Sequence, residues 1–212
     1  MLIVEEMFLL LTQDNGTTDR ARRYRRYGLV AAALTDLAEA GVLKIAAEGK
    51  DPKATVVRAG MTGQAPLDAI LPALDGLSGR TLSQLVSSSK LNPEKATGQA
   101  LARQGIVRED SGYLTVNPAP EIALRERLGQ VLSGHRDPSL AEATGLGILK
   151  ALNVAHGLLG PARGDLDRRG LSRRIESLAQ GVPAVEALKK VVDPITASTM
   201  TMATAAGSAD AS

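Results

Sequence analysis

The stretch RARRYRRYG (residues 20–28) runs directly into LVAAALTDLAEA (residues 29–40), and these two segments decide how the chain begins to fold. Val30, Leu34 and Leu37 recur at helical spacing, which predicts a helix with one face toward the core. Five arginines and two of the three tyrosines of the chain precede this helix. The arginines of the first part favour solvent, whereas the apolar residues of the second part favour burial in the core.

The arginines share the core-facing stripe if the helix extends backwards over them. Thr17 or Thr18 would then be a suitable N-cap, and Arg23, Arg26 and Tyr27 would lie on the azimuth of the apolar stripe. Guanidinium groups cannot enter an apolar core without partners. The helix must therefore overshoot the core or begin near Tyr27, and both alternatives leave the arginines in solvent.

The local energetics of the basic segment favour a function. Cations at a helix start oppose the helix dipole, and like charges three or four residues apart repel. Sequences that break local rules without structural gain are candidates for function. Helix-start amides and guanidinium forks bind anions, and tyrosines suit an interface with one wet and one apolar side.

A phosphate-bearing partner is therefore predicted, an anionic membrane surface first and nucleic acid second. The alternative interpretation is a solvated basic face, because most charge runs are of that kind. The predicted lipid- or phosphate-binding residues are Arg22, Arg23, Tyr24, Arg25, Arg26 and Tyr27.

The composition predicts a helical core built from small aliphatic side chains. The 212 residues include one phenylalanine, no tryptophan and no cysteine, and the net charge is +2. Without cysteine, disulfides, thiolate nucleophiles and most zinc sites are excluded, and two histidines are too few for a histidine-rich metal centre. The predicted fold class is mainly α: a single helical-bundle domain with peripheral helices and two short β-hairpins.

Each predicted hairpin follows a helix that ends at a glycine. The first lies around residues 42–57 and the second around residues 106–116. Because a helix followed by a hairpin occurs twice, a winged-helix-like nucleic-acid-binding regulator is the alternative function. The helix before each hairpin carries few cations, however: residues 31–40 have none and residues 94–104 have two. A third possibility is a protein adaptor whose basic patch holds the acidic tails of partner proteins.

No motif in the sequence supports catalysis. A P-loop, a serine-hydrolase elbow and a zinc-protease motif are all absent. His156 lies on an apolar helix, which is typical of a core histidine. His135 lies in a loop after Ser133-Gly134 and has no obvious partner in the sequence. The sequence predicts no enzyme, no cofactor and no metal site.

A second basic group is predicted to be structural. Its four arginines alternate with carboxylates, and such alternation indicates a salt-bridged surface. The arginines are Arg168, Arg169, Arg173 and Arg174, and the acids are Asp165, Asp167 and Glu176.

The sequence contains no convincing targeting or membrane-spanning segment. Its first four residues run into Glu5 and Glu6 without a basic region. The longest apolar run, residues 145–160, is interrupted by polar side chains and is shorter than the roughly 20 residues a span requires. A cytoplasmic chain, peripheral at the cytoplasmic face of a membrane, is expected. Residues 1–197 are predicted to form the domain and residues 198–212 a disordered tail.

Several segments resemble the Golgi phosphoprotein 3 family in its compact bacterial form, in matching order over about residues 1 to 195. These segments are LIVEEMFLLL (2–11), GLVAAAL (28–34), the Thr62-Gly63 loop with Leu67-Asp68, QGIV (104–107) and LNVAH (152–156). The resemblance implies a mostly α-helical fold around a central bundle. It also implies a peripheral membrane protein that binds phosphatidylinositol 4-phosphate, and in eukaryotes an adaptor that holds glycosyltransferases in the Golgi by their cytosolic tails.

The resemblance implies two surfaces as well. The family's membrane-facing loop coincides with residues 20–27, and its oligomerising hairpin coincides with residues 106–116, where Tyr113, Leu114 and Val116 are the expected contact residues. The family's headgroup site uses a tryptophan and three arginines. These positions fall on Ala21, Val30, Leu91 and Glu94, and none matches. A diffuse patch of arginine and tyrosine is therefore expected to replace the shaped pocket, with roughly 1 kcal/mol of attraction per arginine near an anionic surface.

Overall fold

The computed structural model describes residues 1–12, 19–58, 60–109 and 112–194, and for residues 19–23 it describes the backbone alone. The fold is mainly α, as predicted, with two short antiparallel sheets. The helices are α1 (Ile3–Leu11), α2 (Asp19–Glu39), α3 (Ala65–Asp68), α4 (Leu71–Asp75), α5 (Leu82–Ser87), α6 (Glu94–Arg103), α7 (Ala119–Leu132), α8 (Leu140–Ala151), α9 (Ala155–Leu159), a 3-10 helix (Gly160–Arg163), α10 (Arg168–Leu178) and α11 (residues 183–194). The strands are β1 (Leu43–Ile45), β2 (Ala54–Val56), β3 (Val107–Glu109) and β4 (Tyr113–Thr115).

Helix α1 lies at the centre of the described fold. Every one of its nine residues is buried, and it packs against α2, α6, α7 and α8. Its two acids are paired rather than free: Glu6 Oε1 lies 2.6 Å from Arg127 Nη2, and Glu5 accepts a hydrogen bond of 3.1 Å from the side-chain amide of Gln104. Buried carboxylates need such partners. A helix that carries two acids can therefore still lie inside the core.

Asp36, near the end of α2, caps the start of α1. Its two carboxylate oxygens accept hydrogen bonds of 2.9 Å from the backbone amides of Ile3 and Val4. A helix start leaves four amides without partners inside the helix, and this contact satisfies two of them. Burial raises the pKa of Asp36 to about 7, against the opposing effect of these two hydrogen bonds.

Helix α2 packs closely against α8 through a glycine. A Cβ atom added at Gly28 would lie 3.0 Å from Cγ2 of Ile148 and 3.1 Å from Cδ1 of Leu152. These distances are shorter than ordinary van der Waals contacts, so the two helices approach as closely as they do because residue 28 has no side chain.

The two predicted hairpins are present and follow the same local design. Gly41 and Gly105 adopt left-handed φ values of 68° and 70° after the preceding helices end. After Gly41 the amide of Val42 donates to the carbonyl of Leu37, and after Gly105 the amide of Ile106 donates to the carbonyl of Leu101, both at 3.0 Å. This is the hydrogen bond of a Schellman cap, which turns the chain out of the helix and into the strand. The strands then pair with Leu43 opposite Val56 and Val107 opposite Thr115.

The second basic group is not the salt-bridged surface that its sequence predicted. Arg174 donates from Nη2 to the carbonyl of Val131 (3.0 Å) and from Nε to that of Leu132 (3.2 Å), at the end of α7. A cation at a helix C-terminus bonds the carbonyls that lack helical partners and complements the dipole. Glu176 pairs with Lys150 at 3.1 Å instead of with an arginine.

No described helix is long and apolar enough to cross a membrane.

Candidate anion-binding face at the start of helix α2

The arginine- and tyrosine-rich segment forms the first turns of α2. The helix spans Asp19–Glu39 and runs without a break through the arginines into the apolar part. The alternative that the helix begins near Tyr27 is therefore wrong, and so is the expectation that the arginines lie in solvent where their side chains are described, at Arg25 and Arg26. The predicted residues Arg22 and Arg23 precede Arg26 and Tyr27 by one helical turn, and their side chains lie outside the described part.

Tyr24 is buried, with an exposed fraction of 4%. Its ring stacks on that of Tyr27, with centroids 6.1 Å apart and planes 19° apart, and Tyr27 is half-buried. The expectation that both tyrosines lie at an outer interface is therefore wrong for Tyr24. Tyr24 instead packs in the apolar core and supports the ring of Tyr27.

Arg25 points toward the protein, and its side chain is only 15% exposed. The guanidinium carbon lies 4.4 Å from the centroid of Phe8, Nη2 donates to Thr12 Oγ1 at 2.5 Å, and Nη1 lies 3.4 Å from Oε1 of Glu94. Burial lowers the pKa of Arg25, while Glu94 acts in the opposite direction. The prediction that this guanidinium lies in solvent is wrong, because an aromatic face and a carboxylate hold it.

Arg26 is held by backbone oxygens. Its Nη1 donates to the carbonyl of Ser88 at 2.5 Å and to that of Leu91 at 3.5 Å, and its Nη2 donates to the carbonyl of Ser87 at 3.3 Å. The same guanidinium lies 4.5 Å from the ring centroid of Tyr27. Carbonyl groups accept hydrogen bonds but carry no net charge, so these contacts pair the half-buried Arg26 with no carboxylate.

The contacts of Arg26 bring the α5–α6 loop to the start of α2. Lys90 lies in this loop, Lys95 follows in the first turn of α6, and both are exposed. We use the name basic face for Arg26, Lys90 and Lys95 together with the sequence positions of Arg22 and Arg23 on the preceding turn of α2. The two lysines were not identified from the sequence, because no local pattern connects them with residue 26. The only available signal was the resemblance, which placed headgroup positions in the same loop.

Three of the positions expected for a family headgroup pocket can be located by their side chains. Val30 and Leu91 are completely buried in the core and do not reach solvent. Glu94 is half-buried and pairs with Arg25. Only the backbone of Ala21 is described. The described positions therefore provide one acid and two core side chains, which is a poor set for binding a phosphate.

The second hairpin rests on α6 through Tyr113. The Tyr113 ring lies so close to Gly98 that a Cβ atom there would overlap it. The ring makes an edge contact with Phe8 at 5.2 Å, and the hydroxyl donates to the carbonyl of Lys95 at 3.4 Å. Burial raises the pKa of Tyr113. On the same hairpin Leu114 is 36% exposed and Val116 48% exposed. Tyr113 thus anchors the hairpin, while two apolar side chains face solvent.

The described residues contain no group of three or more side chains suited to hold a metal ion. In a comparison with protein families, residues 3–195 match the model described as Golgi phosphoprotein 3 (GPP34). A comparison with curated proteins gives no match.

Proposed function

The chain belongs to the Golgi phosphoprotein 3 family, and from this premise we propose that it is a non-catalytic peripheral membrane protein that binds anionic lipid through the basic face. The observation that carries the proposal is Arg26. Its charge is bonded only to carbonyl oxygens among its described hydrogen bonds, and those bonds hold the α5–α6 loop, which carries the exposed Lys90, at the start of α2.

Binding through this face would depend on charge density. Each lysine or arginine near an anionic leaflet contributes about 1 kcal/mol, and salt screens this attraction. Since Val30 and Leu91 are buried and Glu94 is acidic, we propose that phosphatidylinositol 4-phosphate is bound as an anionic lipid, without a pocket for its inositol ring. Such binding would place the protein reversibly at the cytoplasmic face of a membrane.

Vesicle sedimentation tests this proposal. The double variant Arg22→Glu/Arg23→Glu should weaken binding to phosphatidylserine vesicles by about 30-fold or more, because at least two favourable contributions of about 1 kcal/mol are lost. Arg173→Glu, a single charge reversal on an exposed position of α10, is the control and should bind as the unaltered chain does.

Two outcomes would contradict the proposal: equal binding to phosphatidylcholine and phosphatidylserine vesicles, or an undiminished affinity in the double variant. A clear preference for phosphatidylinositol 4-phosphate over other vesicles of the same charge would contradict binding without an inositol pocket.

We propose in addition that the second hairpin mediates contact between copies of the chain, in keeping with the family resemblance. Tyr113 would fix the hairpin on α6, and Leu114 and Val116 would form the contact. Light scattering on the variant Leu114→Ser/Val116→Ser tests this role. The variant should be monomeric at concentrations where the unaltered chain associates, and identical masses for the two proteins at every concentration would contradict the proposal.

A further inference from the structure

A cavity of about 300 Å³ lies where the end of α8, the start of α9 and the start of α10 meet. The side chains around it are mainly cationic or polar, and its apolar part comes from buried residues of α9 and α10. The lining residues that matter here are Lys150, Asn153, His156, Arg168, Arg169 and Ser172, and no aspartate or glutamate is among the lining residues. We call this the α10 cavity. It involves none of the residues of the basic face.

A cap at the end of α8 shapes the cavity. Asn153 has a φ of 57°, the only positive φ of a non-glycine residue in the described ranges. Its amide bonds the carbonyl of Lys150 at 2.8 Å, and the amide of Val154 bonds that of Leu149 at 3.0 Å. This is a Schellman cap with asparagine in the left-handed position. The cap turns the chain into α9, which brings His156 into the cavity lining. The residue is thus half-buried at a cavity rather than a core histidine.

The carboxylates next to the cavity are already engaged. Asp167 is the N-cap of α10, and its Oδ1 accepts a hydrogen bond of 2.6 Å from the amide of Gly170. Glu176 pairs with Lys150 at 3.1 Å, and its own side chain is 63% exposed outside the lining. Lys150 lowers the pKa of Glu176 through this hydrogen bond.

Arg168 and Arg169 are both exposed, and neither side chain has a hydrogen bond or ion pair with any residue the structure describes. They sit in the first turn of an 11-residue helix, where the helix dipole opposes cations. The two neighbouring guanidinium groups repel each other, and the positive end of the helix dipole repels both. An anion in the cavity would reverse both effects, because it would be attracted to the helix start and to the guanidinium groups.

We propose that the α10 cavity binds a phosphate monoester. Arg168 and Arg169 provide the unpaired positive charge, Lys150 adds an ammonium group that Glu176 already pairs, and Asn153 and Ser172 provide neutral hydrogen-bond donors for the ester's remaining oxygens. Leu171 and Ile175 are buried beneath the site and offer a dry surface for the carbon part of the ligand. A volume near 300 Å³ is at the lower end of small-molecule sites, which suits a phosphorylated polyol of a few carbons.

Such a phosphate monoester has two sources, a free metabolite or the headgroup of a phosphorylated lipid. Glycerol 3-phosphate and inorganic phosphate serve as soluble probes, titrated into the full chain and followed by amide chemical shifts. Saturable shifts should concentrate at residues 150–156 and 168–172, with glycerol 3-phosphate binding more tightly than inorganic phosphate because of the dry surface. Sodium chloride at equal ionic strength should not reproduce them.

The variant Arg168→Glu/Arg169→Glu should weaken glycerol 3-phosphate binding by about tenfold or more. These residues have no described partners and acids are favourable at a helix start, so the variant should unfold at a urea concentration no lower than that of the unaltered chain. Arg173→Glu lies on the same helix outside the cavity lining and should change the affinity less than about twofold. The absence of saturable shifts, or an equal loss in both variants, would overturn the proposal.

The vesicle assay separates the sources and keeps the two proposals independent. A soluble ligand predicts that Arg168→Glu/Arg169→Glu sediments with phosphatidylserine vesicles as the unaltered chain does. A lipid headgroup predicts reduced sedimentation only with vesicles that carry a phosphate monoester, such as phosphatidic acid. Failure of the lipid-binding proposal would appear in the Arg22→Glu/Arg23→Glu variant and would leave the glycerol 3-phosphate titration unchanged.

Discussion

The chain has two arginine-rich helix starts, at α2 and at α10, and the protein uses them in opposite ways. At α2, Arg25 is turned inward and held by Phe8 and Glu94, and the half-buried Arg26 is held by the carbonyls of a distant loop. At α10, the first two arginines are exposed without described partners and border a cavity. Similar composition therefore does not imply similar exposure. What differs is whether another segment packs against the helix start.

The largest expected effect is on stability at the start of α2. Arg25→Glu would place a carboxylate beside Glu94 and remove the cation from the ring of Phe8, so we expect the free energy of unfolding to fall by about 3 kcal/mol. The matched change at α10, Arg168→Glu, should alter it by less than about 0.5 kcal/mol. Urea denaturation of both variants measures the difference, and equal midpoints would remove the distinction between the two helix starts.

A smaller loss is expected when Arg26 is truncated. Arg26→Ala removes the hydrogen bonds to the carbonyls of Ser87, Ser88 and Leu91, and the estimated cost is about 1–2 kcal/mol. Hydrogen exchange should locate the loss in the α5–α6 loop, whose amides would exchange faster. Arg173→Ala serves as the control, and unchanged exchange in the loop of the Arg26 variant would show that Arg26 does not hold it.

Arg174 tests whether the contrast holds within the second cluster. Because it caps α7 through the carbonyls of Val131 and Leu132, Arg174→Ala should cost about 1 kcal/mol, unlike Arg169→Ala on the same helix. Thermal unfolding of the two variants gives the comparison. If both melt at the temperature of the unaltered chain, the α7 cap contributes nothing measurable.

The smallest effect concerns the charge that Glu94 contributes to the basic face. Glu94→Gln removes one negative charge next to Arg25 and should tighten binding to phosphatidylserine vesicles by up to about fivefold, since one charge near such a surface is worth about 1 kcal/mol. Glu176→Gln, beside the α10 cavity, is the control and should leave vesicle binding unchanged. Unchanged binding by the Glu94 variant would place the pair of Arg25 and Glu94 outside the lipid contact, and weaker binding would contradict the proposed effect of its charge.

The contrast also shows where sequence reasoning succeeds. The hairpins and the helices before them were predictable, because the capping glycines at 41 and 105 and the turn residues act within a few positions. The hydrogen bonds that hold Arg26 were not predictable, because its partner Ser88 is 62 residues away and accepts through a backbone carbonyl. No side-chain pattern identifies such an acceptor.

The prediction that the second basic group forms a salt-bridged surface is wrong for a local reason. Alternating charges predicted salt bridges, but Asp167 stands just before the helix, where an aspartate caps the amide at 170. Its position before two arginines and a glycine was a readable signal for a cap. Once the acid is engaged in this way, Arg168 and Arg169 are left without it.

Asp36 gives the interior of the protein a carboxyl group that takes up a proton when the chain folds. Its folded-state pKa of about 7 lies above the usual 3.8, so between about pH 4 and pH 7 the folded chain holds a proton that the unfolded chain releases. Folding in this range takes up a proton, and the contribution of this group to stability falls as the pH rises toward neutrality. The heat of unfolding should accordingly vary with the ionisation enthalpy of the buffer, which makes calorimetry a direct reporter on the junction of the first two helices.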